Sequence, residues 1–324
     1  MKTETIAIVG LDKVTASVGM ALRESDLGLS VLGYVKDKGI AKKAREIGSV
    51  DDTTSNLVNA AQAADIIVLK MPSSEQSITL EIVGEEIRDH TLVIDLSRFK
   101  GASQKLADMH IKQGHYVGAN PVLAASKLLD GNMSLAAAQA DLFEHSIFCV
   151  MPSAKADPQA VETAVNLGRI LGATPYFLDP YEYDSLMQAV ETLPGLLGAA
   201  MFRAVSQATG WRDLLRFAGL DFALSTASVE NQDIAALAVN DKEASLRWMD
   251  AVLAELQVMR RLVSEGDQER LSLILDDVIE DRYRWIDERT RNAWTEESSE
   301  PEIGGFSIGA QLFGFGRRSS DKDS

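Results

Sequence analysis

One cysteine, four histidines and a deficit of positive charge are the first things missing from this 324-residue chain. The single thiol, Cys149, lies in the apolar run Ile147-Phe148-Cys149-Val150. It excludes an intramolecular disulfide and a cysteine-rich zinc site, and points to a reducing cytoplasm. Lys and Arg total 32 against 48 Asp and Glu, a net charge of −16. A surface of that sign repels phosphate backbones and anionic lipid headgroups, so neither nucleic acid nor a membrane is the expected partner. It leaves room for a small anionic ligand, because two or three cations in one pocket suffice. No stretch reaches 18 uninterrupted apolar residues, which excludes a spanning helix. The first apolar run, Ile6 to Val9, is too short for a signal-peptide core, so export by that route is not expected.

What is present is a globular composition, 46% hydrophobic and 25% charged, long enough for two domains. Up to about residue 178, short apolar runs alternate with longer segments rich in Ala, Leu, Lys and Glu. Strands are expected at Ile6 to Val9, Ser30 to Tyr34, Ile66 to Leu69, Thr91 to Ile94, Tyr116 to Gly118, Ile147 to Val150 and Pro175 to Leu178. Helices such as Lys38 to Ile47 and Asp157 to Leu171 fall between them. Strand, helix, strand in repeated order predicts an α/β fold of the doubly wound Rossmann type, with parallel pairing and right-handed crossovers. From 179 to 294 the period is helical. Leu271, Ile274, Leu275 and Val278 share one face, and Leu253, Leu256 and Met259 belong to another. Such faces close either an intramolecular core or a dimer interface. From 295 an acidic stretch reads as a solvated linker, and it leads into a Gly/Phe segment over 303–318 that docks on its own protein, binds a protein partner or stays disordered.

A Gly-rich phosphate turn, G-x-G-x-x-G, belongs where the first strand feeds the first helix. Here the turn reads Gly10-Leu11-Asp12-Lys13-Val14-Thr15, with Asp12 and Thr15 in the second and third glycine positions. A carboxylate about 4 Å from a pyrophosphate costs on the order of 4 kcal/mol at an effective dielectric near 20, unless Lys13 or a metal compensates. Asp12 can instead fill the seat itself, accepting the helix N-terminal N–H groups. At the end of the second strand, Val35 stands where an acidic residue selects NAD, and Lys36, Lys38, Lys42 and Lys43 follow. That favours NADP if a dinucleotide is bound, the plain reading of the lysines being a solvated helix face.

Several segments in shared order carry a resemblance: Asp65 to Pro72, Val93 to Gly101, Gly118-Ala119-Asn120-Pro121, Ala140 to Phe143, Glu182-Tyr183-Asp184, Leu193-Pro194, and Gly210 to Arg216 ahead of Asn231. Over about residues 4 to 265 the chain resembles the prephenate and arogenate dehydrogenase family. The resemblance implies a dinucleotide-binding domain (1–178), an all-α dimerisation and substrate domain (179–294), and NAD(P)-dependent oxidative decarboxylation of a cyclohexadienyl carboxylate by a homodimer. It places Gly10, Asp12, Lys13, Thr15, Lys36, Met71 and Pro72 at the coenzyme. Ser97, Arg98 and Asn120 fall at the catalytic positions, and Arg216, Thr192, Gly195 and Tyr183 at the substrate.

The chain departs from the family where a histidine is usual: at Asn120, at Thr192 and Gly195 flanking Leu193-Pro194, and at Tyr183. It carries Arg98 where a serine is usual. Asn120 can hold a hydroxyl but cannot take its proton at neutral pH, and loss of a general base typically costs about 10² to 10⁴ in rate. Arg216, Ser97 and Lys100 remain as polar candidates. Each also has a plain structural reading, Arg216 as an ion-pair partner and Ser97 and Lys100 as turn closers. His115, five residues before Asn120, either approaches the cleft or lies on the surface. Three functions follow: an NADP-dependent dehydrogenase, a non-catalytic relative acting as metabolite sensor or regulatory subunit, or a dimeric interaction protein presenting its tail.

Overall fold

The computed structural model describes residues 4–128, 130–230 and 233–291. Asn231 and the 303–318 segment lie outside them. The chain divides into two compact units, one made of residues up to Pro180 together with the stretch from Arg289, the other of Tyr181–Glu288.

In the first unit, the elements run β1 (Thr5–Val9), α1 (Lys13–Glu24), β2 (Ser30–Tyr34), α2 (Lys38–Glu46), β3 (Asp52–Thr54), α3 (Leu57–Ala63), β4 (Ile66–Leu69), α4 (Ser73–Glu86), β5 (Leu92–Asp95), α5 (Gly101–His110), β6 (His115–Pro121), β7 (Ile147–Met151), α6 (Pro158–Ile170) and β8 (Thr174–Phe177). Side-chain caps start the helices where an acidic or amide residue precedes them. Asp37 caps α2, Asn56 caps α3, and Asp157 caps α6 with Pro158 in its first turn. The eight strands form one sheet in the order β3-β2-β1-β4-β5-β6-β7-β8. Ile6, Ile8, Val31, Ile66, Val68 and Ile94 bury one face, and Ala7, Val9, Ile67, Leu69 and Val93 bury the other. Covered on both faces, these strands read as unbroken apolar runs rather than alternating ones.

Two features differ from the sequence expectation. β3 is a three-residue polar edge strand, Asp-Thr-Thr, with no apolar signature to find. The pairing is not parallel throughout: β7 runs antiparallel to β6, with Asn120 opposite Cys149, and β8 is parallel to β7. Among its described residues, the segment between β6 and β7 holds only short 3₁₀ turns, at Ala125–Lys127 and Leu135–Ala137, instead of the crossover helix that parallel strands require.

The second unit is helical. After α7 (Pro180–Met187), a π-helical turn over Gln188–Thr192 leads into α8 (Leu193–Ser206), α9 (Trp211–Phe217), α10 (Leu220–Thr226), α11 (Ile234–Asn240), α12 (Lys242–Glu265) and α13 (Gln268–Arg291). Its small interior joins the start of α8 to α11 and α12. The Gln188 amide donates to Leu237 O at 3.3 Å and accepts from Ser245 Oγ at 3.0 Å. Within the described residues the long helical faces do not close an intramolecular core. α13 buries none of its residues, and Leu253, Leu256, Leu275 and Val278 are each about half exposed. Among the described residues, no helix is long and apolar enough to cross a membrane.

Candidate functional site

The C-terminal edge of a parallel sheet is where open α/β folds bind ligands, and the turns after β1, β4 and β5 meet there. Gly10 has a positive φ of 91°, and a Cβ on it would sit 2.0 Å from Lys70 O. Only glycine allows the β1 turn to lie so close to the β4 turn. Asp12 then caps α1: its Oδ1 accepts from Thr15 N at 2.9 Å, while Thr15 Oγ1 accepts from Asp12 N at 3.0 Å and donates to Gly10 O at 2.8 Å. Thr15, in the third glycine position, is therefore fully buried within a reciprocal capping box.

The compensating cation is not the one the sequence suggested. Lys13 is buried and turned away, donating to Asp130 Oδ2 at 2.9 Å and Asn132 O at 2.8 Å. That hydrogen bond is the main reason the Asp130 carboxyl lies below its ordinary range. With Gln139 N bonded to Ser17 Oγ, it ties the 130–139 segment to α1. Lys70, the residue following β4, reaches Asp12 Oδ2 at 2.5 Å instead. Partial burial opposes ionisation of Asp12, but the Lys70 charge and hydrogen bond, together with Thr15, hold its carboxyl below the usual range. The signal for Lys70 was a cation at a strand's end. Its partner became visible only once β1 and β4 were paired in register, Val9 beside Leu69.

The turn after β5 is held by buried polar groups. Asp95 Oδ1 accepts from Ser97 N at 2.7 Å, and its Oδ2 accepts from Tyr116 Oη at 2.8 Å and Gln76 Nε2 at 3.0 Å. Ser97 Oγ accepts from Met71 N at 3.0 Å, joining this turn to the Met71-Pro72 entry of α4. Lys100 is 1% exposed and donates to Asp95 O at 2.9 Å, to Ala119 O at 2.7 Å and to Ser97 O. Ser97 and Lys100 thus close a turn, and Lys100 pins β5 to β6. Arg98, between them, is half-buried. Asn120, next to last in β6, is half-buried, its amide donating at 3.4 Å to Pro121 O. Across the ladder, burial pushes the Cys149 thiol up to about 11, with the Lys100 charge opposing.

No histidine joins this edge from the elements before it. His115 opens β6 opposite Leu92, at the far end of the strand from Asn120, which removes it from the cleft. His90 precedes β5 and His110 ends α5, at the same far edge. His145 is exposed beside Glu144. Lys36 is exposed just past β2.

In the helical unit, Tyr183 is buried on α7. Thr192 ends the π-helical turn with its hydroxyl buried and, among the described residues, without a hydrogen-bond partner. Gly195 packs on Ile234, whose Cδ1 would lie 2.3 Å from an added Cβ. Arg216 is exposed on α9 and pairs with Asp213 on the same helix at 3.2 Å. A π-helical turn with an unsatisfied hydroxyl is an arrangement found often at functional sites.

A dinucleotide needs free N–H groups and positive charge at the first helix. With Asp12 capping α1, its carboxylate holds both the Thr15 N–H and the Lys70 ammonium, so the turn in this conformation does not fit a pyrophosphate.

Comparison with known proteins gives a consistent picture. Residues 18–176 match the family described as prephenate dehydrogenase, nucleotide-binding domain. The chain is 24% identical over 284 residues to a prephenate dehydrogenase of Bacillus subtilis, covering 83% of this chain and 72% of that one. It is 20% identical over 270 residues to a cyclohexadienyl dehydrogenase of Zymomonas mobilis, covering 82% and 90% respectively. Its fold is that of the prephenate dehydrogenase from A. aeolicus crystallised with hydroxyphenyl propionate and NAD+, with a TM-score of 0.73 at 18% identity over 88% of this chain and 99% of that one.

Proposed function

The chain belongs to the prephenate dehydrogenase family, and on that premise we propose that it is an NADP-preferring oxidoreductase acting on a cyclohexadienyl carboxylate, with weak coenzyme binding and slowed turnover. The observation carrying this reading is the family's nucleotide-binding domain with the β1, β4 and β5 turns brought to one sheet edge. Lys36, just past β2, supports NADP over NAD, since a cation there favours a 2′-phosphate. Arg216 supplies a cation for a substrate carboxylate, and the unpartnered Thr192 hydroxyl, with Tyr183 and Gly195 near it in sequence, supplies a polar contact. Asn120 orients the ring hydroxyl without removing its proton, and the expected cost is about 10² to 10⁴ in rate relative to a histidine-bearing relative.

The helical unit is the dimer interface in this reading. Its half-exposed Leu253, Leu256, Leu275 and Val278 have the apolar character of an isologous contact. Sedimentation at micromolar concentration should give twice the 35.2 kDa chain mass, and a monomer would contradict that part. The protein's cytoplasmic location and the role of 303–318 as a partner-binding tail are part of the same proposal.

A second reading, a non-catalytic metabolite-binding relative, is favoured by one observation, the Asp12–Lys70 pair at the phosphate turn. Calorimetric titration with NADP(H) and NAD(H), followed by a prephenate and arogenate turnover assay, separates the two. Tighter binding of NADP than NAD with slow prephenate-dependent reduction is expected. Binding of prephenate with no heat from either nucleotide would establish the second reading.

A further inference from the structure

We propose that Asp12 is an internal competitor for the coenzyme's pyrophosphate, held in the phosphate seat by Lys70, so that dinucleotide binding requires the carboxylate to leave. The inference rests on the reading of this edge as a dinucleotide site and says what limits it. Two contacts build the plug, and the commitment of the turn's other cation elsewhere leaves it unopposed. Asp12 Oδ1 takes the Thr15 N–H at 2.9 Å, a donor that a helix N-terminus would offer to phosphate. Asp12 Oδ2 takes the Lys70 ammonium at 2.5 Å, the cation of the adjoining turn. Lys13, the other cation of the turn, is committed to Asp130 and Asn132. The carboxylate therefore carries out both functions of a phosphate oxygen, accepting from the helix and neutralising a lysine.

The plug is displaceable. The Asp12 side chain is 45% exposed and Lys70 21%, so both can swing toward solvent while Gly10 and the backbone stay in place. An incoming pyrophosphate must break the ion pair and then sit beside the displaced charge. Removing the charge alone should reveal the competition.

The test is equilibrium binding of NADP+ by calorimetry to wild type, Asp12→Asn and Asp12→Gly. Asparagine caps helices as well as aspartate, so Asp12→Asn keeps the fold and the Thr15 contact while releasing Lys70. We expect NADP+ affinity to rise ten- to a hundredfold in Asp12→Asn and at least as much in Asp12→Gly, which removes bulk too. Lys70→Met, leaving the carboxylate uncompensated, should bind at least tenfold more weakly than wild type. Binding by Asp12→Asn with none measurable in wild type also supports the plug. Wild-type binding that neither Asp12 substitution tightens overturns it and leaves the dinucleotide reading standing. No binding by wild type or either Asp12 variant, each verified as folded by circular dichroism, overturns both.

Discussion

Replacing Lys100 by methionine tests whether this lysine is a structural staple rather than a ligand cation. Its ammonium is 1% exposed and donates to Asp95 O at 2.9 Å, Ala119 O at 2.7 Å and Ser97 O. A hydrogen bond to a charged group is worth about 1.5–3 kcal/mol, so three acceptors set an upper bound of about 9 kcal/mol. Methionine restores most of the stem's packing, and relaxation re-pairs some of the carbonyls. Leaving a buried acceptor unpaired costs about 1–3 kcal/mol, so with some of the three re-paired a loss of about 3–5 kcal/mol is expected here. For a domain of about 180 residues, roughly 2–4 °C per kcal/mol makes this a fall of about 10 °C in Tm. Urea unfolding of wild type and Lys100→Met, followed by fluorescence, measures the difference. A loss under about 1 kcal/mol would refute the staple, because the three carbonyls would then not depend on the ammonium.

Other outcomes follow from the same geometry. Gly10→Ala should lose about 2–4 kcal/mol of stability, since φ is positive and the new methyl meets Lys70 O at 2.0 Å; an unchanged Tm would refute the close approach of the two turns. Cys149 is 4% exposed with its thiol pushed up to about 11, so the native protein at about pH 8 should react with a thiol reagent at less than about a tenth of the unfolded rate, and fast stoichiometric labelling would contradict its burial. Burial first, and the Asp65 charge second, push the Glu4 carboxyl up to about 7. A raised folded-state value means the native state binds the extra proton, so stability should fall as pH rises from about 4.5 to about 7. Allowing for solvent screening of this part-exposed group, the loss is about 1–2 kcal/mol. Glu4→Gln should flatten that slope, and an unchanged slope would assign it elsewhere.

Local chemistry makes much of the fold readable from the residues alone. Apolar runs marked seven of the eight strands, the central ones because both their faces are buried, and helices α2 and α6 began at or beside their capping residues. β3 escaped because a polar three-residue edge strand is set by its neighbour, not by its own side chains. The reversal of β7 escaped as well, because apolar content does not encode strand direction. At the site, the absence of the later glycines and of the usual histidines was visible residue by residue, and so was the capacity of Asp12 to fill its own seat. Which lysine answers Asp12 was not. Lys13 is one residue from it and points away to Asp130, whereas Lys70, 58 residues distant, makes the ion pair. Composition and spacing determine which groups a turn contains. The pairing of β1 with β4 decides which of them meet, because a charge–charge contact depends on distance in space and only the folded sheet sets that distance.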